Sequence, residues 1–279
     1  NPDKETVLTP WRVVNMHMSD TIGGWCWYDE SFDEKTGVLD TPRYVDQGDV
    51  TRQLFDNVDL AGEVQTKILE INSKTGLYPL YVTYSLFRRR LDEYIKAECI
   101  DKETVSVQEE QVVWDDIVEN NMYVICNTPM AKGITHRTLF GFRQVDQKAN
   151  IKNVQLIERA SKDQEGLVKE LKSVGFWKGN SSKQEMKFNA VVGNPPYQIM
   201  DGGGTGSSAT PIYNKFVDLA KLLNPNNVSM IIPAKWYTGG KGLDEFRANM
   251  LNDKQLIKLF DYEDSRDCFP TVDIAGGVC

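Results

Sequence analysis

An α/β fold, with a Rossmann-like, doubly wound and mostly parallel seven-stranded sheet, is what this sequence predicts, on three observations. From Lys67 onward, apolar runs of strand length alternate with segments of helical period, the pattern of successive βαβ units. The chain has 279 residues, of which 41% are hydrophobic, enough for one large α/β domain or a domain with an appended piece. Its least ordinary residues follow directly on apolar runs. Sheets of this kind hold ligands there, at the carboxyl ends of strands beside the reversal of strand order.

The strands expected, in chain order, are residues 67–71, 122–126, 154–157, 189–192, 228–232, 256–261 and 273–279. Helical spacing of apolar residues falls between them at 79–97, 113–120, 131–139, 164–174, 211–223 and 243–251. Asn224-Pro225-Asn226-Asn227 ends one helix with turn chemistry before the next strand. Ahead of Lys67 the rhythm is different. Residues 9–18 read as a short helix, and Gly23-Gly24-Trp25-Cys26-Trp27-Tyr28 with the polar stretch to Asp49 reads as an excursion of hairpin or loops. No internal repeat, low-complexity tract or linker is visible.

Composition narrows the function. No apolar run reaches the eighteen or so residues that span a bilayer, and the start lacks the layout of a signal peptide. Both ends read as cut, so the chain is expected to belong to a longer protein. The five cysteines are scattered with no C-x-x-C pair, and only two histidines are present, which disfavours a zinc site and suits a reducing, cytoplasmic setting. A formal net charge of −8 argues against a stand-alone nucleic-acid binder, because phosphate neutralisation supplies most of such affinity.

The most informative stretch is Phe188-Asn189-Ala190-Val191-Val192-Gly193-Asn194-Pro195-Pro196-Tyr197, an apolar strand entering a stiff polar turn. Pro195 and Pro196 fix two φ angles and bias the residues before them towards extended geometry. The turn therefore presents one amide side chain, free carbonyl acceptors and one aromatic ring. That set suits methylation of an aromatic amine, whose lone pair is delocalised into its ring. Acceptors on both amino hydrogens favour the pyramidal, nucleophilic form and stabilise the positive charge that develops. Asn194 Oδ1 and the Pro195 carbonyl are the candidate acceptors, and Tyr197 the surface on which a base stacks, a contact worth roughly 1–3 kcal/mol. An ordinary surface turn is the plainer reading, disfavoured by the strand before it and by the full four-residue string.

This stretch resembles the N-P-P-Y motif of amino-methyltransferases that act on adenine, and the layout is similar to their gamma class, closest to the methylase portions of restriction-modification enzymes. In that class a T-P-x-x-V-V helix comes first, which Thr9-Pro10-Trp11-Arg12-Val13-Val14 matches. The resemblance implies an S-adenosylmethionine-dependent methyltransferase fold. Residues 1–60 would then be a helix and loop extension packing on the cofactor site. Residues 61–279 would be the catalytic domain, truncated before a domain that recognises DNA.

On the cofactor side, the family has an acidic residue followed by glycines four and six positions on. Here Glu70 and Gly76 match, but Lys74 stands at the first glycine, where the family's backbone approaches its ligand closely. The resemblance also implies cofactor contacts from Thr9, Pro10, Asn72, Thr75 and Asn194. The second strand, which in the family ends in an acid that holds the ribose, ends here without a carboxylate, leaving that role to Asn127, Thr128 or Glu70. Glu158 matches the acceptor for the cofactor's adenine amino group, or is a solvent-facing partner of Arg159. Phe269, in Cys268-Phe269-Pro270, falls where the family places an aromatic beside the flipped base, and reads equally as core.

Other features carry less. Arg88-Arg89-Arg90 reads as a solvated helix face, Asp201–Ser208 as a flexible loop that either orders over DNA or is inert, and His17 as packed or exposed rather than catalytic. The expected activity is methyl transfer from S-adenosylmethionine to the 6-amino group of an adenine flipped from double-stranded DNA, within a restriction-modification system. The expected partners are DNA, held through a recognition domain outside this chain, and a restriction subunit or fused nuclease domain; no metal or membrane is implied. Methyl transfer to RNA or to a protein glutamine amide, and a non-catalytic scaffold that keeps the fold, stand beside that reading.

Overall fold

A computed structural model describes residues 7–21, 66–143, 149–200 and 209–279, with the side chains of residues 19–21 and 200 excepted. The excursion expected between Gly23 and Asp49 and the loop at 201–208 lie outside the described residues.

Helix α1 (Trp11–Thr21) starts where the Pro10 carbonyl accepts the Val14 N–H at 3.0 Å. Strand β1 (Ile68–Ser73) is buried along its whole length and runs into α2 (Leu77–Glu98) through a short loop. Two residues make that loop possible. Asn72, at φ 70°, and Gly76, at φ 78°, adopt left-handed geometry, which Asn and Gly tolerate best. Helix α3 (Val107–Asn120) opens on a capping box between Ser106 and Glu109 and leads into β2 (Met122–Cys126). Thr128 caps α4 (Pro129–Phe140), with proline at its first turn. Then follow β3 (Asn150–Asn153), α5 (Leu156–Lys162), α6 (Gln164–Leu171), α7 (Val174–Lys178) and β4 (Ala190–Gly193). A small antiparallel pair, β5 (Gln198–Met200) and β6 (Ala209–Pro211), precedes α8 (Tyr213–Leu222), β7 (Asn227–Met230) and α9 (Asp244–Asn252).

Seven strands are therefore described, five of them in the main sheet. Its order is β3-β2-β1-β4-β7 and every pairing is parallel. The order reverses between β1 and β4, which defines the switch point of a doubly wound sheet. Alternation along β1 sends Ile68 to a core shared with Val14, Tyr81 and Val82 of α1 and α2, and Leu69 and Ile71 to a core shared with Leu167, Phe216 and Leu219 of α6 and α8. Helices thus cover both faces.

Three expected elements differ. Residues 154–157 are not a strand: the third strand lies at Asn150–Asn153, and Leu156 and Ala160 bury one face of α5. Its polar Asn150 is buried because its Nδ2 donates to the Glu119 carbonyl at 2.5 Å and the Met122 carbonyl at 3.3 Å. Residues 256–261 form no strand, and Ile257 stays 88% exposed. Residues 273–279 contribute bridges rather than a strand: Val278 pairs antiparallel with both Pro233 and Tyr262. A ladder needs a continuous neighbour, and around these two segments pairing is confined to Tyr262, Gly277, Val278 and Cys279.

Candidate active site

The carboxyl ends of β1 and β4 lie side by side, Glu70 in register with Val192. Gly193 carries the chain across this gap at φ 154°, and a Cβ there would come within 2.5 Å of the Ile71 carbonyl oxygen. Glycine is what lets β4 leave the sheet this close to β1.

Beyond Gly193, Asn194 is buried at 3% exposure. Its Nδ2 donates to Thr9 Oγ1 at 3.0 Å, and its main-chain carbonyl accepts from Asn72 Nδ2 at 3.1 Å. Its Oδ1 is buried and accepts no hydrogen bond. Buried polar atoms are almost always paired; among the described residues Asn15, Asn150 and Asn214 also leave a buried amide oxygen unpartnered, and the Asn194 oxygen is distinguished from these by its place at the switch point. The ends of β1 and β4 and the start of α1 thus converge on one amide.

Tyr197 is buried with Phe269, Cys268, Val7, Val13 and Ile231 in one apolar cluster. The two aromatics expected beside a base are therefore brought together, and Phe269, at 1% exposure, is core as well. Burial holds the Tyr197 hydroxyl well above the ordinary phenol range, and it makes no hydrogen bond of normal geometry.

On the β1 side, Thr9, Glu70, Asn72, Lys74, Thr75, Leu77, Tyr78 and Asn194 enclose a cavity of about 10 Å³, room for roughly one water. Five of the residues expected to touch a cofactor are among them. Glu70 is fully buried, one carboxylate oxygen without a partner, and burial pushes it up to about 8. The Lys74 ammonium is enclosed beside it and donates to the Val7 carbonyl at 2.7 Å; burial pulls it down to about 8. Tyr78, which sequence reasoning did not single out, sits between this cavity and His17, whose Nδ1 lies 2.8 Å from the Tyr78 hydroxyl. Its place in the first turn of α2, directly after the loop, was the signal available.

The other expected residues lie apart from this cavity. The missing Cβ of Gly76 faces α4, within 3.0 Å of Thr135 and Thr138, so its role is close packing of the loop. Pro10 starts α1 beside Thr9. Asn127 is half-buried after β2, and Thr128 is spent on capping α4. Glu158 is not at a strand end: α5 turns it to solvent, where it pairs with Lys162 at 3.1 Å, while Arg159 pairs with Asp163 and Glu170. Of the arginine triplet, Arg89 pairs with Glu93 and Arg90 with Asp116 of α3. A larger cavity, about 590 Å³, runs between β7 and residues 255–260; it does not reach Asn194 or Glu70.

The donors and acceptors of the smaller cavity fit a ligand with both cationic and hydroxyl groups. Glu70 has a free carboxylate oxygen, and Asn72 and Thr75 line the same space. As it stands the cavity admits about one water, with the Lys74 side chain among its walls.

Fold and site together define a doubly wound α/β domain with the Asn194–Tyr197 turn at its switch point. The model of the Eco57I restriction-modification methylase family matches residues 120–269, more than half of the chain, and the chain belongs to that family. Membership in a methylase family implies a methyl donor. A model described as an RNA binding activity-knot of a chromodomain matches residues 61–102. The described part of that range forms β1 and α2 of the parallel α/β unit, so this match carries no argument here. A protein of Mycoplasma pneumoniae named an uncharacterized adenine-specific methylase is 40% identical over 96 residues, covering 34% of this chain. The match spans only 23% of that relative's length. Among solved structures, a chain of the DrdV–DNA complex aligns over 98% of this chain and 26% of its own length, with a TM-score of 0.52 and 13% identity, a likeness of fold alone. Among the described residues no helix is long and apolar enough to cross a membrane.

Proposed function

We propose that this chain is the catalytic part of an adenine-specific DNA methylase, placing the methyl group of S-adenosylmethionine on the 6-amino group of an adenine turned out of the duplex. The observation that carries this is the unpartnered, buried Oδ1 of Asn194 at the switch point. Leaving such an acceptor unmet costs about 1–3 kcal/mol, which a ligand's N–H recovers. The Mycoplasma relative named for adenine methylation supports the choice of substrate.

When bound, S-adenosylmethionine supplies an activated methyl group on its sulfonium. The residues of the chain do the rest. Thr9 and Asn72 fix the Asn194 amide, so that Oδ1 accepts one amino hydrogen without reorganising during the reaction. The Pro195 carbonyl accepts the second. Tyr197 and Phe269 supply the apolar walls of the base pocket, which opens by parting the turn at 194–197 from the turn at 268–269. Thr9, Glu70, Asn72 and Thr75 hold the cofactor, with Asn127 beyond them. Residues 61–279 form the catalytic domain and the stretch before it contributes Thr9. Sequence recognition and cleavage, by a recognition domain and a restriction subunit or nuclease domain, belong to parts outside this chain.

The test is transfer of labelled methyl groups from S-adenosylmethionine to a mixture of duplex DNA, RNA and protein, with adenine identified by digestion of the labelled product. Label in N6-methyladenine of DNA is the expected result. Label in RNA or glutamine overturns the substrate, and no label in any pool supports the scaffold reading.

A further inference from the structure

Lys74 stands where the family resemblance has a glycine, and its side chain enters the cavity rather than leaving for solvent. An ammonium has three donors, and among the described residues one is used, on the neutral Val7 carbonyl. Glu70, across the same cavity, has a carboxylate oxygen with no partner. No ion pair within hydrogen-bonding distance joins the two among the described residues; they attract across the cavity and Ser73 engages the Glu70 carboxylate, which leaves one Glu70 oxygen and part of the Lys74 ammonium open to a ligand. Burial disfavours both charges, pushing the acid up and the lysine down. A ligand that brings an ammonium to one and a carboxylate to the other removes both penalties together.

We infer that Lys74, standing where the family resemblance has glycine, takes the carboxylate of the methyl donor's α-amino-acid end, opposite the Glu70 carboxylate on the other side of the same cavity. This rests on the cofactor assignment proposed above. The lysine stem is long and flexible, so its ammonium can leave the Val7 carbonyl and still reach a ligand in the same cavity. Its departure also makes room where the cavity now admits only one water. Entry of the ligand and movement of Lys74 are then one event.

The experiment is calorimetric titration of the chain with S-adenosylhomocysteine and with 5′-methylthioadenosine, which lacks the amino-acid end. The unaltered chain should prefer S-adenosylhomocysteine by roughly tenfold or more, the worth of one charge-assisted contact. Lys74→Met should lose that preference and leave methylthioadenosine binding within about twofold, while Lys74→Arg, which keeps the charge, should retain most of it. Two results overturn the inference alone. Tighter binding of both ligands by Lys74→Met would mean that the lysine only fills the cavity, and equal weakening of both would mean that it only shapes the loop. Binding of neither ligand to the unaltered chain overturns the cofactor assignment and this inference with it.

Discussion

At the scale of single residues, the site depends on amide chemistry held by glycine-permitted geometry. Asn194→Ala removes the unpartnered acceptor and one hydrogen bond to Thr9, a bond worth about 1 kcal/mol to the fold. Methyl transfer should fall by about 100-fold or more, the usual loss for one pre-organised acceptor or donor at a reacting centre. Thermal melting should shift by only a few degrees, and near-normal turnover in a labelled-methyl assay would remove Asn194 from the reaction. Tyr197 separates face from hydroxyl. Tyr197→Phe deletes a buried hydroxyl without a well-formed hydrogen bond, so stability should hold or rise and much of the activity should remain. Equal loss from Tyr197→Phe and Tyr197→Ala would show that the hydroxyl matters. Gly193→Ala drives a methyl group to within 2.5 Å of the Ile71 carbonyl at a φ that side chains avoid. It should cost about 2 kcal/mol or more, read as an early denaturant midpoint together with loss of ligand binding.

At the scale of elements, His17 ties three of them together. From α1 it reaches the Tyr78 hydroxyl of α2 at 2.8 Å and Ser229 Oγ of β7 at 2.7 Å, and burial lowers it to about 4. A base whose folded value lies below its unfolded value of 6.5 binds its proton more weakly in the folded state. Stability is therefore full above about 6.5 and is lost as pH falls towards 4. The loss should be about 2 kcal/mol between pH 7 and 5, less than the full shift because pH 5 lies above the folded value. His17→Gln should flatten the fall of the denaturation midpoint between pH 7 and 5; an unchanged slope would assign it to carboxylates instead. Elements with a strong pattern were legible in the sequence. Residues 122–126 are all apolar and form β2 as expected, and the 3.6-residue spacing located α2, α3, α4, α8 and α9. What misled was polarity and context. β3 reads as polar because it carries Asn150, whose Nδ2 is held by carbonyls from another segment, while apolar Leu156 and Ile157, expected as strand, open a helix. The Asn194 turn was legible because two prolines after a strand have few structural uses. The cavity was legible only in part: Glu70, Asn72 and Thr75 follow the strand, but the reach of Lys74 to Val7 and the place of Tyr78 come from how α1 packs, which no local pattern encodes.

At the scale of the whole molecule, charge separates chemistry from DNA grip. The chain carries 40 acidic against 32 basic residues, and Arg89 and Arg90 of its one basic triplet are paired with Glu93 and Asp116. Affinity for duplex DNA grows with the number of phosphates neutralised and falls steeply with salt. A chain of net charge −8, with two arginines of its triplet engaged internally, offers few such contacts. The proposed cofactor cavity needs none of them, because Thr9, Glu70, Asn72 and Asn194 are positioned by the sheet and by the segment leading into α1. This 279-residue chain should therefore bind S-adenosylmethionine in a calorimetric titration while shifting duplex DNA only weakly at low salt and without sequence preference. Adding salt to roughly 200 mM should abolish the DNA shift and leave cofactor binding almost unchanged, since the buried cavity is screened far less than a surface. Tight, site-selective DNA binding that survives this salt would place the recognition function within these residues and overturn its assignment to parts outside them.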